Sequence, residues 1–92
     1  MAIVYILYSK SIDRYYIGSC LDLEQRVQEH ILNNKGFTAR AQDWKIFFKI
    51  ENLEYQQARR IEKHIKNMKS KTYLVNLKKY NETTQKLIQK YK

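Results

Sequence analysis

Residues Ile3 to Tyr8 (IVYILY) are apolar at every position and β-branched or aromatic almost throughout. Such a run suits a strand covered on both faces. In a strand Ile3, Tyr5 and Leu7 share one face, and Val4, Ile6 and Tyr8 the other. Arg14 to Ser19 (RYYIGS) repeats the pattern, with Tyr15 and Ile17 opposed to Tyr16. The polar stretch Ser9 to Arg14 (SKSIDR) between them reads as a turn, so the two strands form an antiparallel hairpin. Gly18, near the end of the second strand, marks a bulge, a sharp exit or a close approach to the backbone.

Beyond the hairpin the period changes. Leu23, Val27 and Ile31 fall at i, i+4 and i+8, the stripe of an amphipathic helix, with Asp22 as its N-cap and Asn33 to Gly36 as stop signals. Arg26 and His30, also four apart, border that stripe and look towards the sheet. Phe37 to Asp43 is a polar loop, and Trp44 to Ile50 (WKIFFKI) a third strand. After a turn over Glu51 to Tyr55, a longer helix runs from about Glu54 to Lys69. Its stripe is Ala58, Ile61, Ile65 and Met68, with Glu62 on the edge and Lys66 and Lys69 on the same flank. Lys71 to Leu77 reads as extended or irregular. Asn81 then caps a last helix with Leu87, Ile88 and Tyr91 inside. The order β-β-α-β-α(-α) predicts an α+β fold, a small three-stranded, largely antiparallel sheet flanked by helices. One domain over residues 1–92 is expected, with a core at 3–77 and a helical tail at 78–92.

Composition narrows the function. Cys20 is the lone cysteine, which excludes an internal disulfide, and with the two histidines it forms no zinc-ligand spacing. No apolar run approaches the roughly 20 residues of a membrane helix, and the N-terminus lacks the basic flank of a signal peptide. A cytoplasmic protein without membrane contact is expected. The net charge is +9, unevenly placed. Residues 1–46 hold six Lys/Arg against five Asp/Glu, and residues 47–92 hold twelve against four. A one-sided basic surface suits a polyanion such as nucleic acid, although a solvated lysine-rich helix surface gives the same count.

Tyr5, a gap of ten residues, then Tyr16-Ile17-Gly18, with Arg26 eight residues after Gly18, His30, Glu62 and Asn76 following, resembles the GIY-YIG nuclease superfamily. The likeness covers Ile3 to about Asn76 and fits a short stand-alone bacterial member, related to the excinuclease nuclease domain and to GIY-YIG homing endonucleases. It departs from the signature at Ile3, which stands where the first triplet carries glycine. Asn76 competes with Asn67 and Asn81 for the trailing position.

The resemblance implies the GIY-YIG endonuclease fold and metal-dependent hydrolysis of DNA, branched or damaged, in repair or processing. Glu62 would be the single carboxylate on Mg²⁺ (or Mn²⁺), an ion that keeps several waters. Tyr5 would take the proton of the attacking water, directly or through a relay, and Tyr16 would position water or phosphate. Arg26 would hold the phosphate, and His30 would be a hydrogen-bond partner or auxiliary acceptor. The choice of base among Tyr5, Tyr16 and His30 stays open.

Lys45, Lys49, Arg59, Arg60, Lys63, Lys66, Lys69 and Lys71 are candidate phosphate contacts. No base-reading module fits beside the catalytic core, so any sequence specificity would come from a homodimer or a protein partner. Each residue also has a plainer role. The tyrosines suit a strand core. Arg26 can pair with Asp22 or Glu29, and Glu62 with Lys66. Cys20 and His64 read as structural or solvated. A nucleic-acid-binding module, or a subunit of a larger assembly, of the same fold with weak or no nuclease activity is the competing reading.

Overall fold

The computed structural model describes residues 1–26, 28 and 41–92. Three strands, β1 (Ala2–Ser9), β2 (Arg14–Cys20) and β3 (Lys45–Leu53), form one antiparallel sheet in the order β2-β1-β3. The apolar first segment therefore takes the middle position, paired on both sides. Three helices follow, α1 (Tyr55–Met68), α2 (Lys71–Lys79) and α3 (Asn81–Lys90). Residues 23–26 are helical too, and the Gln25 N–H donates to Asp22 Oδ1 at 3.2 Å, as expected of an N-cap. Among the described residues, no helix is long and apolar enough to cross a membrane.

The two faces of β1 lead to two cores. Val4 and Ile6 pack with Ile50, Leu53, Ala58, Ile61, Ile65, Leu74, Leu77 and Leu87, so α1, α2 and α3 all cover one side of the sheet. Tyr5 and Leu7 pack on the other side with Cys20, Leu23, Ala41 and Trp44. Each fully buried isoleucine or leucine contributes about 1.5–3 kcal/mol by leaving water. β3 carries extra residues against β1, one of them near Asn52, which sits at φ 61° where the register shifts. These bulges bend the strand round the core.

The structure corrects three local expectations. Lys71 to Leu77, expected to be extended or irregular, lies in the helix α2. Ser70 decides this: its side chain accepts the Tyr73 N–H at 3.1 Å, and the helix so begun buries Leu74 and Leu77 at i and i+3. The span Glu51 to Tyr55, expected to turn, continues β3 to Leu53. Asn81 is the first residue of α3, not its cap. Only Tyr80 separates α2 from α3; its N–H donates back to the Asn76 carbonyl at 2.8 Å while its own carbonyl accepts from Thr83 N–H.

The hairpin end is tied by carboxylates. Asp13, at φ 48° in the turn, accepts from Tyr8 Oη at 2.9 Å and from Lys71 Nζ at 2.8 Å. Asp43 accepts from the hydroxyls of buried Ser9 (2.5 Å) and Ser11 (2.9 Å) and from the Ser11 N–H (2.9 Å). The Ser9 hydroxyl, then the Ser11 N–H, hold the Asp43 carboxyl down at about 2, below its usual 3.8. A lowered folded-state pKa gives stability that is complete above about pH 4 and is lost as pH falls through about 2. Asp43→Asn is therefore expected to flatten the fall in thermal midpoint between pH 4 and 2. Equal slopes for both proteins would refute this role.

Candidate active site

Strand order creates the site. With β1 in the middle, β2 is an edge strand, and groups from both sides of the sheet meet round that edge. Tyr5 pairs with Gly18 and Leu7 with Tyr16, so both tyrosines project from one face, with ring centroids 6.4 Å apart. Tyr5 is 1% exposed. Its ring lies over Gly18, where a Cβ would stand 2.5 Å from the Tyr5 hydroxyl and 2.6 Å from Cζ. The approach to the backbone that Gly18 signals is thus the tyrosine of the first strand. Ile3, in place of the signature glycine, packs beside the Tyr5 cluster as an ordinary strand residue. It is not among the positive-φ residues, so the backbone there has no need of glycine.

Ser19 pairs with Val4 and so faces the helical side, where it meets α1. Its hydroxyl donates to Glu62 Oε1 at 2.5 Å, and Lys66 Nζ donates to Glu62 Oε2 at 2.6 Å. The Glu62 side chain is 17% exposed, at the edge of the buried stripe of α1 as its phase requires. Arg26 comes from the helical residues on the opposite face. Burial first, then Tyr16, Cys20 and Glu62 raise the pKa of the Tyr5 hydroxyl well above the usual tyrosine value, while Arg26 pulls it down. Burial likewise raises the Cys20 thiol, against Arg26.

Two clefts lie on either side of the Ser19–Glu62 contact. One, of about 350 Å³, is lined by Ser19, Leu21, Gln25, Arg26, Tyr55 and Arg59 among others. The second, of about 370 Å³, is lined by Arg59, Arg60, Glu62, Lys63, Lys66 and Asn67. Arg59 belongs to both, so a basic wall runs along α1 from Tyr55 to Lys66.

Tyr5, Tyr16, Arg26 and Glu62 are thus gathered round Gly18 and Ser19 of β2. His30 lies outside the described residues. Asn76 is half-buried within α2 and lines neither of these two clefts. The predicted phosphate contacts divide. Arg59, Arg60, Lys63 and Lys66 stand beside Glu62. Lys45 and Lys49 lie on β3, the opposite edge of the sheet, and Lys49 pairs with Glu51 at 2.8 Å. Lys71 is bound to Asp13, and Lys69 forms the left-handed C-cap of α1. His64 is half-buried, its Nδ1 2.8 Å from Tyr91 Oη.

Ser19, Leu21 and Tyr55 were not singled out by sequence reasoning. Ser19 follows directly on Tyr-Ile-Gly, and strand alternation already places it on the face away from Tyr5. That was the available signal. The donor set at the β2 edge is hard oxygen: one carboxylate, one hydroxyl and two phenols. It suits a hard divalent cation that keeps most of its waters. Among the described residues no group of three or more His, Cys, Asp or Glu stands together to hold a metal ion, so Glu62 would be the single carboxylate ligand.

A profile of the GIY-YIG catalytic domain matches residues 1–88. The chain belongs to the GIY-YIG family. No curated protein and no solved structure gives a significant match. The GIY-YIG domain is a nuclease domain, its members in general use a divalent metal, and its substrate is DNA. The antiparallel three-stranded sheet with flanking helices agrees with the GIY-YIG fold.

Proposed function

We propose that this protein is a divalent-metal-dependent DNA endonuclease acting on branched or damaged DNA, with little sequence specificity. The observation that carries the reading is the meeting of three groups at two successive residues of β2: the Tyr5 hydroxyl lies over Gly18, Ser19 holds Glu62, and Arg26 lines the cleft that Ser19 walls. Glu62 would hold the cation, which when bound supplies charge for the phosphate and the leaving oxygen. Mg²⁺ or Mn²⁺ suits its lone carboxylate. Ser19 fixes the orientation of that carboxylate through Oε1 and leaves the Lys66 side, Oε2, as the exchangeable one.

Arg26 would grip the phosphate with two parallel N–H donors and stabilise the charge gathering on it in the transition state. Tyr5 starts as a neutral phenol, because burial holds its proton on. Neutralising the charge of Glu62 removes one of the influences that hold it there. Loss of the Tyr5 proton to solvent is then easier, and the phenolate so formed would take the proton of the attacking water, with Tyr16 keeping that water on the same side of β2. The basic wall of α1 would follow the DNA backbone and so give affinity without reading sequence.

The test is nicking of supercoiled plasmid with Mg²⁺ or Mn²⁺. The unaltered protein is expected to nick, to stop on addition of EDTA, and to lose about a hundredfold or more in rate as Arg26→Ala. Salt-sensitive DNA binding with no cleavage in any divalent metal would favour the second reading, a binding module. Glu62 is the observation behind that alternative, since both its oxygens are already bonded within the chain.

A further inference from the structure

We infer that the cleft beside Arg26 is a subsite for a single unstacked nucleobase, held against Tyr55 and Leu21, so that the enzyme engages DNA with an unpaired nucleotide. The inference rests on the nuclease reading and names the form of substrate that the same site takes. Leu21 is 65% exposed and Tyr55 53% exposed, and both line the cleft that also holds Ser19, Arg26 and Arg59. Exposed apolar surface concentrated in one cleft, beside the arginine proposed to grip phosphate, suits an apolar occupant. A phosphate backbone supplies none, whereas a base supplies a flat π-face.

The tyrosine is built to receive one. It is the first residue of α1, on a turn fixed by reciprocal bonds between Glu54 and Gln57. Arg59, one turn on, lies 5.8 Å from its ring centroid and donates to its hydroxyl at 3.2 Å. The ring is thus braced by its neighbour, and ordering it costs little on binding. Stacking a base on such a ring is indifferent to which base it is. Around it stand groups for the rest of the nucleotide: the Arg26 and Arg59 guanidiniums for phosphate, and the Gln25 amide for a base edge.

Geometry ties the subsite to the chemistry. Ser19 belongs to the cleft wall and also donates to Glu62, so the two places are one residue apart across the β2 edge. A phosphate gripped by Arg26 would have its neighbouring nucleotide over Tyr55. In an intact duplex that base is stacked and paired, and unstacking it costs energy that a frayed end, bulge or branch has already met. Structure selectivity then arises without any contact that reads sequence.

The experiment measures binding in EDTA, which separates it from cleavage. Oligonucleotides carrying 2-aminopurine, either at one unpaired bulge position or within a perfect duplex of the same sequence, are titrated with the full chain. The bulged form is expected to bind more tightly, with a change in 2-aminopurine fluorescence that the duplex lacks. Tyr55→Ala is expected to weaken the bulged complex about tenfold more than the duplex complex and to abolish the fluorescence change, while Tyr55→Phe keeps both. Leu21→Ser should reproduce the loss in part.

Equal weakening of both DNAs by Tyr55→Ala, or a fluorescence change that survives it, would overturn the subsite and leave the nuclease reading intact. Loss of plasmid nicking in all metals, with selective bulge binding retained, would instead overturn the nuclease reading alone. Thermal midpoints of the variants within a few degrees of the unaltered chain establish that the comparison is between folded proteins.

Discussion

Glu62→Gln is expected to yield a folded protein that nicks plasmid DNA at least about a hundredfold more slowly than the unaltered chain. The substitution keeps the shape and leaves an amide oxygen to accept the Ser19 hydroxyl. It removes the charge, and with it the affinity of the β2 edge for a hard cation. What else it removes is small: the Lys66 pair is a helix i,i+4 contact on a half-exposed lysine, worth about 0.3–0.5 kcal/mol. Activity and stability should therefore separate cleanly. The measurements are the initial nicking rate at saturating Mg²⁺ and the urea midpoint of each protein. A variant that cuts at the unaltered rate would remove Glu62 from the chemistry.

Gly18→Ala should be damaging in the opposite manner, through packing. A methyl at position 18 stands 2.5 Å from the Tyr5 hydroxyl, 2.6 Å from Cζ and 3.2 Å from Cε1, so the ring must move. Tyr5 is enclosed by the Leu7, Cys20, Leu23, Ala41 and Trp44 cluster, which leaves it little room. Overpacking of this kind costs about 1–3 kcal/mol. Displacing the hydroxyl by about an ångström costs up to a hundredfold in rate. The expected result is a lowered urea midpoint together with a nicking rate reduced well beyond the fraction unfolded. A double-mutant cycle with Tyr5→Leu assigns the cause, because removing the ring should make the added methyl nearly harmless. If Gly18→Ala alone matches the unaltered protein in both measurements, the close approach of Tyr5 to β2 is not what the glycine serves.

How far the sequence reveals this arrangement depends on the range of the interaction. The hairpin is legible because β-branched and aromatic runs flank a polar turn, and because Tyr5 and Tyr16 fall on one face by alternation alone. Glu62 is legible from its phase on α1, one step off the buried stripe. The helix over Lys71–Lys79 is not, since Thr72, Tyr73 and Val75 favour strand and the deciding bond is the single Ser70 cap. Nor could the fate of the lysines be read. Lys71 meets a carboxylate 58 residues earlier in the chain, and Lys49 is parted from the β2 edge by the order of the strands. Ser19 gains its role only once α1 is laid beside β2, a placement that no local pattern encodes.

The middle place of β1 also decides when Tyr5 can be lost. Its strand is bonded along both edges, whereas the other three site residues come from an edge strand and from helices. Amide protons of Val4 to Ile6 can exchange with solvent only in openings that dismantle the whole sheet. Any ligand gripped at the β2 edge therefore slows exchange deep inside β1 by the full factor 1 + [L]/Kd. Occupancy of the site is thus recorded in the most protected strand of the molecule, and a nucleic acid too weakly bound to isolate would still be weighed there.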